Sequence, residues 1–190
     1  SFDRSQPPVG SIMVWEIFQR HTETSFLEIT FEPLLKWNRW WTKKRMNNGL
    51  LSYGSHKAKN PFKEPNTNTM ITAKYESGMD DSPMYEDVPF NKEKNVMELQ
   101  DVGLNSLYIA DCKALIKIGK LLNRKAEVKE LEERTEYFSN EIEKLWSEDT
   151  GLYLNKCTDT GEFSQRISPT MFYPLLAEVV SQERAERMIN

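Results

Sequence analysis

Residues 99–122 read LQDVGLNSLYIADCKALIKIGKLL, and residues 125–146 read KAEVKELEERTEYFSNEIEKLW. In the first segment Leu99, Val102, Leu104, Leu107, Ile109, Ala110, Ala114, Leu115, Ile116 and Ile118 cover nearly the whole circumference of a helix. A helix that is apolar all round is a buried helix. In the second segment Val128, Leu131, Thr135, Phe138, Ile142 and Leu145 make one stripe, and Glu and Lys fill the rest. That is an outer helix with one wet face. An inner helix followed by an outer one predicts an all-α architecture of alternating layers.

Towards the C-terminus, EDTGLYLN turns at Gly151 and TDTGEFSQ turns at Gly161, which predicts a small β-hairpin. A helix is expected from Pro169, a favoured first helical position, to Val180. A last helix begins near Ser181. Towards the N-terminus, one helix is expected over Val9–Thr22 and another over Ser25–Met46, with Pro33 interrupting or restarting it. Asn47-Asn48-Gly49 reads as its stop. Trp37, Trp40 and Trp41 stand at i, i+3 and i+4 on one face of it, either as core or as a sugar platform. Between Asn47 and Met97 periodicity fades. Gly49, Gly54, Pro61, Pro65, Gly78, Pro83 and Pro89 punctuate a stretch rich in Tyr, Phe, Met and Leu, read as an ordered functional loop. No short repeat of the ankyrin or tetratricopeptide kind is present.

Composition narrows the function classes. The 190 residues have 38% hydrophobic content, enough for a real core and against disorder. The net charge of −4 argues against nucleic acid as a partner. No apolar run reaches the roughly 20 residues of a membrane span, so no membrane partner is expected. Cys112 and Cys157 match no zinc spacing and are either one disulfide or two free thiols. His21 and His56 are too few for a His-rich metal site.

The long loop concentrates charge. Glu76, Asp80, Asp81, Glu86 and Asp87 put five carboxylates into twelve residues. Such crowding fits a solvated loop, a cation site or proton chemistry. The order is not the alternating one of an EF-hand. A carboxylic acid among other carboxylates and apolar groups keeps its proton to higher pH, as a general acid requires. Tyr75, Met79, Met84 and Tyr85 are candidates for the apolar surround, and Gly78 would admit substrate close to the backbone.

ESGMDDSP (76–83) resembles the acid motif of glycoside hydrolase family 63, whose members include mannosyl-oligosaccharide glucosidase, bacterial α-glucosidases and mannosylglycerate hydrolases. Trehalases are similar, with an aromatic residue in place of Met79. SQPPVGSIMVWEIF resembles the family's Gln-Pro-Pro entry into a helix, and LLKWNRWW followed by NNGLLSYGSH its Trp-rich helix and Gly-Leu-Tyr-Gly loop. QDVGLNSLYIAD, TGLYLN and RISPTMFYPLLAEV match later segments, in the family's order.

The resemblance implies an (α/α)6 toroid and an inverting α-glycosidase, most closely an α-glucosidase on α-linked oligosaccharide. Mannosylglycerate, trehalose or another α-linked disaccharide is an alternative. A non-catalytic sugar-binding or structural fragment is another. It implies Asp80 as general acid and Gln6, Tyr53, Gly54, Glu76, Gly78, Met79 and Asp81 around the sugar, with Glu76 alternatively holding the loop through backbone N–H groups. It implies no cofactor and no metal for the chemistry, and a periplasmic or secreted location. The general base would be a Glu beyond these residues. The pattern supplies about six helices, half of what such a toroid holds, so residues 1–190 are expected to be the N-terminal part of a catalytic domain and inactive alone, with its C-terminal half as partner. Asp81 stands where many relatives carry Asn, which would raise the acid's pKa if both were buried. Glu178 stands where Gly is expected.

Overall fold

A computed structural model describes residues 4–56 and 69–190. Pro61 and Pro65 of the long loop lie outside the described residues. Seven helices occur in the described chain: α1 (Gly10–His21), α2 (Thr24–Arg45), α3 (Met70–Ser77), α4 (Val102–Leu121), α5 (Lys125–Ile142), α6 (Tyr173–Leu176) and α7 (Gln182–Ile189). The fold is all-α, a partial (α/α)6 toroid. Four two-stranded antiparallel ladders decorate the connections: β1 (Met46–Asn47) with β2 (Leu50–Leu51), β3 (Phe90–Asn91) with β4 (Val96–Met97), β5 (Leu99–Gln100) with β8 (Lys156–Cys157), and β6 (Trp146–Ser147) with β7 (Leu152–Tyr153).

α4 is the centre, as its apolar circumference requires, and packs against α1, α2, α5 and α6. Val102, Leu104, Tyr108, Ile109, Leu115 and Ile118 are buried in it. The stripes Leu27-Phe31-Leu35 of α2 and Val128-Leu131-Phe138-Ile142 of α5 close the core from outside. Polar groups on α4 tie its neighbours to it. Asn105 accepts from the Leu51 N–H at 2.8 Å and donates to the Leu51 carbonyl at 3.0 Å, fixing the β1–β2 hairpin to the helix. Lys113 donates to the carbonyls of Ala177 and Glu178 and closes the end of α6.

Several boundaries differ from the expectation. α2 runs through Pro33 without a break. Pro33 lies on the exposed side, so the carbonyl it orphans, on Ile29, turns towards water rather than into the core. α4 starts at Val102, not Leu99, because the Asp101 carboxylate caps it by accepting from the Leu104 N–H at 2.8 Å. Leu99 and Gln100 are left to pair with Cys157 and Lys156, which ties the two long loops together. α2 ends at Arg45, ahead of the expected stop, and Asn48 and Gly49, both at positive φ (51° and 93°), form the turn of the β1–β2 hairpin instead. Pro169–Phe172 is a 3-10 turn, and α6 stops at Leu176. Glu178 then takes φ 54°, the left-handed conformation for which Gly is the usual residue. The turns at Gly151 and Gly161 fall as expected, the second closed by a bridge between Lys156 and Phe163. Both cysteines are free thiols, with Cys112 buried.

Candidate active site

α3 carries the acid loop. It ends at Gly78, whose φ of 69° and N–H bond to the Tyr75 carbonyl stop the helix. Among the described residues a side chain at Gly78 would meet nothing within 4 Å, so the backbone is open on that side to them. The Ser77 hydroxyl then accepts from the Met79 N–H at 3.0 Å, and the Met79 carbonyl accepts from the Ser82 N–H at 3.0 Å. These bonds shape the crest bearing Asp80 and Asp81, both exposed.

The five carboxylates separate into two kinds. Glu76 is fully buried and makes a two-pronged ion pair with Arg45, itself fully buried: Nε to Oε2 at 2.6 Å and Nη2 to Oε1 at 2.7 Å. Glu86 and Asp87 both pair with Arg166, at 2.8 Å and 2.5 Å. Asp80 and Asp81 make no side-chain hydrogen bond or ion pair among the described residues. Three of the five negative charges are therefore answered by arginines from distant segments, and two have no such partner among the described residues.

The residues expected around the sugar fall at different depths. Gln6 is exposed and its side-chain amide lies 3.5 Å from the Tyr75 carbonyl, beside α3. Met79 is half-buried against the core. Tyr53 is 1% exposed and sits in an aromatic row with Trp41 and Tyr85, ring centroids 6.1 and 6.4 Å away, edge to face. Gly54 is buried: a Cβ there would meet the Asn95 carbonyl oxygen at 2.3 Å, so its glycine permits a close backbone approach. Its N–H donates to Glu76 Oε2 at 2.8 Å. Glu76 has each oxygen occupied twice from within the chain, so the loop-holding alternative describes its geometry.

The apolar surround expected for the acid is partly elsewhere. Met84 and Tyr85 are core residues, and the Tyr85 hydroxyl donates to Asp101 at 3.1 Å. Burial pushes the Tyr85 hydroxyl well above its usual range and raises the Asp101 carboxyl as well. Asp80 and Asp81 are both exposed rather than buried. The tryptophans are divided: Trp41 is core, while Trp37 donates to the Ser5 hydroxyl at 2.7 Å and Trp40 stacks under the Arg45 guanidinium at 4.7 Å. Among the described residues no group of three or more His, Cys, Asp or Glu side chains is placed to hold a metal ion. None of the helices among the described residues is long and apolar enough to cross a membrane.

Arg45 and Arg166 were not singled out by sequence. Arg45 reads there as an ordinary basic residue in a helix's last turn, and its partner is 31 positions away. Arg166 is 79 positions from Asp87.

Helices layered around α4, with an open loop presenting two free carboxylates, define half of a glycosidase-type helical toroid. The chain belongs to the mannosylglycerate hydrolase MGH1-like glycoside hydrolase domain family, whose model matches residues 1–190. The GH63 mannosylglycerate hydrolase of Thermus thermophilus, solved in complex with glucose, has 21% identity and a TM-score of 0.76, over 98% of this chain and 50% of that one. An uncharacterized conserved protein of the same organism matches equally well, at 21% identity and 0.76, covering 98% and 52%. Neutral trehalase of Saccharomyces cerevisiae has 17% identity and 0.76, covering 98% and 43%. The chain thus spans about half the length of the structures it matches. No curated protein matches.

Proposed function

We propose that these residues form the acid-bearing half of the active site of an inverting glycoside hydrolase acting on α-linked sugars, with Asp80 as general acid. The supporting observation is the sorting of the five carboxylates, which among the described residues leaves Asp80 and Asp81 unpaired beside the backbone of Gly78. Asp80 protonates the glycosidic oxygen as the bond to the anomeric carbon breaks, and a water attacks the opposite face. Inversion needs a second carboxylate roughly 6.5–9.5 Å from the acid with that water between. Asp81 is the next residue along the same crest, one peptide or about 3.8 Å away at Cα, and is not the proposed base. The base comes from a partner segment outside residues 1–190, the C-terminal half of the catalytic domain, and the 190 residues alone bind sugar without turning it over.

Glucose is the proposed donor sugar, with an α-linked oligosaccharide as substrate. The family match and the Thermus relative favour a second reading, mannosylglycerate. Hydrolysis of α-glucosides and of mannosylglycerate by the whole protein that contains these residues, followed by proton NMR of the earliest product, tests the reading. The β-anomer appearing first supports it. The α-anomer appearing first removes the inverting mechanism, and no turnover of any α-linked sugar removes the enzyme reading.

A further inference from the structure

Glu76 does more than neutralise Arg45. Its Oε1 accepts from the Ser5 N–H at 2.6 Å and from Arg45 Nη2 at 2.7 Å, and its Oε2 accepts from the Gly54 N–H at 2.8 Å and from Arg45 Nε at 2.6 Å. Four donors from three separate segments converge on one carboxylate. Ser5 precedes Gln6, Gly54 follows Tyr53, and Glu76 stands two residues before Gly78 and four before Asp80. Arg45 is the last residue of α2, so the carboxylate is referenced to a long rigid helix. The guanidinium is itself immobilised, with Nη1 donating to the Lys44 carbonyl at 3.2 Å and its face on the Trp40 ring.

A buried ion pair is weak evidence for stability, because desolvation offsets much of the attraction and apolar residues of similar volume do as well. Such a pair differs from an apolar contact in being directional. Planar fork-to-fork geometry fixes both distance and angle, and each additional backbone N–H fixes one more segment to the same frame.

We infer that Arg45 and Glu76 are a positioning pair that sets, through the single Glu76 carboxylate, the mutual placement of the Gln6 segment, the Tyr53–Gly54 segment and the loop bearing Asp80. The inference rests on the proposed function only in taking the exposed Gln6 segment and the loop bearing Asp80 as sugar-facing; the Tyr53–Gly54 segment is the buried floor they are set against. The placement itself can be read without sugar. Neither residue touches the substrate: both are fully buried, and the pair acts through the segments it aligns.

The test uses the 190-residue chain labelled with 15N, with Arg45→Lys and Glu76→Gln as variants. Lys keeps the charge and loses the fork; Gln keeps the size and one acceptor oxygen. In each folded variant the amide signals of Ser5, Gly54 and Gly78 to Asp81 should move together, while those of the α4–α5 contact stay in place. Affinity for D-glucose and methyl α-D-glucoside should fall tenfold or more. Should either variant fail to fold, hydrogen exchange in the unmodified chain carries the test: the Ser5 and Gly54 amides should open with the same protection factor, within about threefold. Shifts confined to Trp40, Lys44 and residue 76, or a Ser5 amide that exchanges a hundredfold faster than Gly54, would overturn the inference. A wild-type chain that binds neither sugar but shows the coupled shifts would leave the positioning role standing and count against the proposed function.

Discussion

Asp111 offers a quantitative test of how the core is built. Its carboxylate is fully buried where α1, α2 and α4 meet, accepting from the Ser11 N–H and from the Asn38 side-chain amide, each at 2.9 Å. No cation among the described residues reaches it directly. Arg134 bonds to the Asn38 side-chain oxygen, not to the carboxylate, and the neighbouring Cys112 thiol is pushed up to about 12 by burial and stays neutral. Burial raises the Asp111 pKa from 3.8 to about 6, against the hydrogen bonds from Asn38 and Ser11, which lower it. The folded state therefore holds this proton more tightly than the unfolded chain. The stability linked to it is fully present below pH 3.8 and is lost as pH rises through about 6. The difference between 3.8 and about 6 corresponds to about 3 kcal/mol in total, of which about 2 kcal/mol falls between pH 4.5 and 7. Urea denaturation of the wild type and Asp111→Asn at half-unit steps from pH 4.5 to 7.5 isolates this contribution. Asn places an N–H against the Asn38 amide, at a cost that does not depend on pH, and taking the difference cancels the other carboxylates. The variant should gain about 2 kcal/mol relative to wild type across that range. A difference that stays flat would show that the carboxylate is better solvated, or better paired, than this geometry implies.

Gly54→Ala should lower stability by about 1–3 kcal/mol, because the new methyl meets the backbone of Asn95 and Val96 rather than a yielding side chain; the thermal midpoint by circular dichroism reads it. Glu178→Gly should raise stability by up to about 1 kcal/mol by relieving the left-handed backbone, with no change in secondary structure. A thiol reagent at pH 8 should modify Cys157 and leave Cys112 intact until the chain unfolds, as peptide mapping of the labelled protein would show.

The layered architecture was legible because it rests on periodicity, which is local. The all-round apolar pattern of α4 and the single stripe of α5 each determine what the helix packs against before any partner is known. Boundaries were less legible where a tertiary contact competes with a local rule. Pro33 is accommodated because its side of α2 is wet, and Leu99 leaves the helix because a strand far along the chain, at Lys156–Cys157, is available to pair with it. The acid motif could be recognised, but not the division of labour within it. Nothing local distinguishes Glu76 from Asp80: one is matched by Arg45 and the other by nothing in the described chain, and such pairings appear only when segments far apart in sequence come together. Tyr53 shows the same limit. An aromatic residue beside a glycine in a loop suits a sugar face or a core equally, and the row of Trp41, Tyr53 and Tyr85 places it in the core.

The central claim is that Asp80 delivers the proton. Turnover of an unactivated α-glucoside by the whole protein that contains these residues should fall by about 10²–10⁴-fold on Asp80→Asn, with circular dichroism and thermal midpoint unchanged, because a positioned acid contributes on that scale. Turnover within a few-fold of wild type would take Asp80 out of the mechanism and leave the free carboxylates of this loop without the role assigned to them.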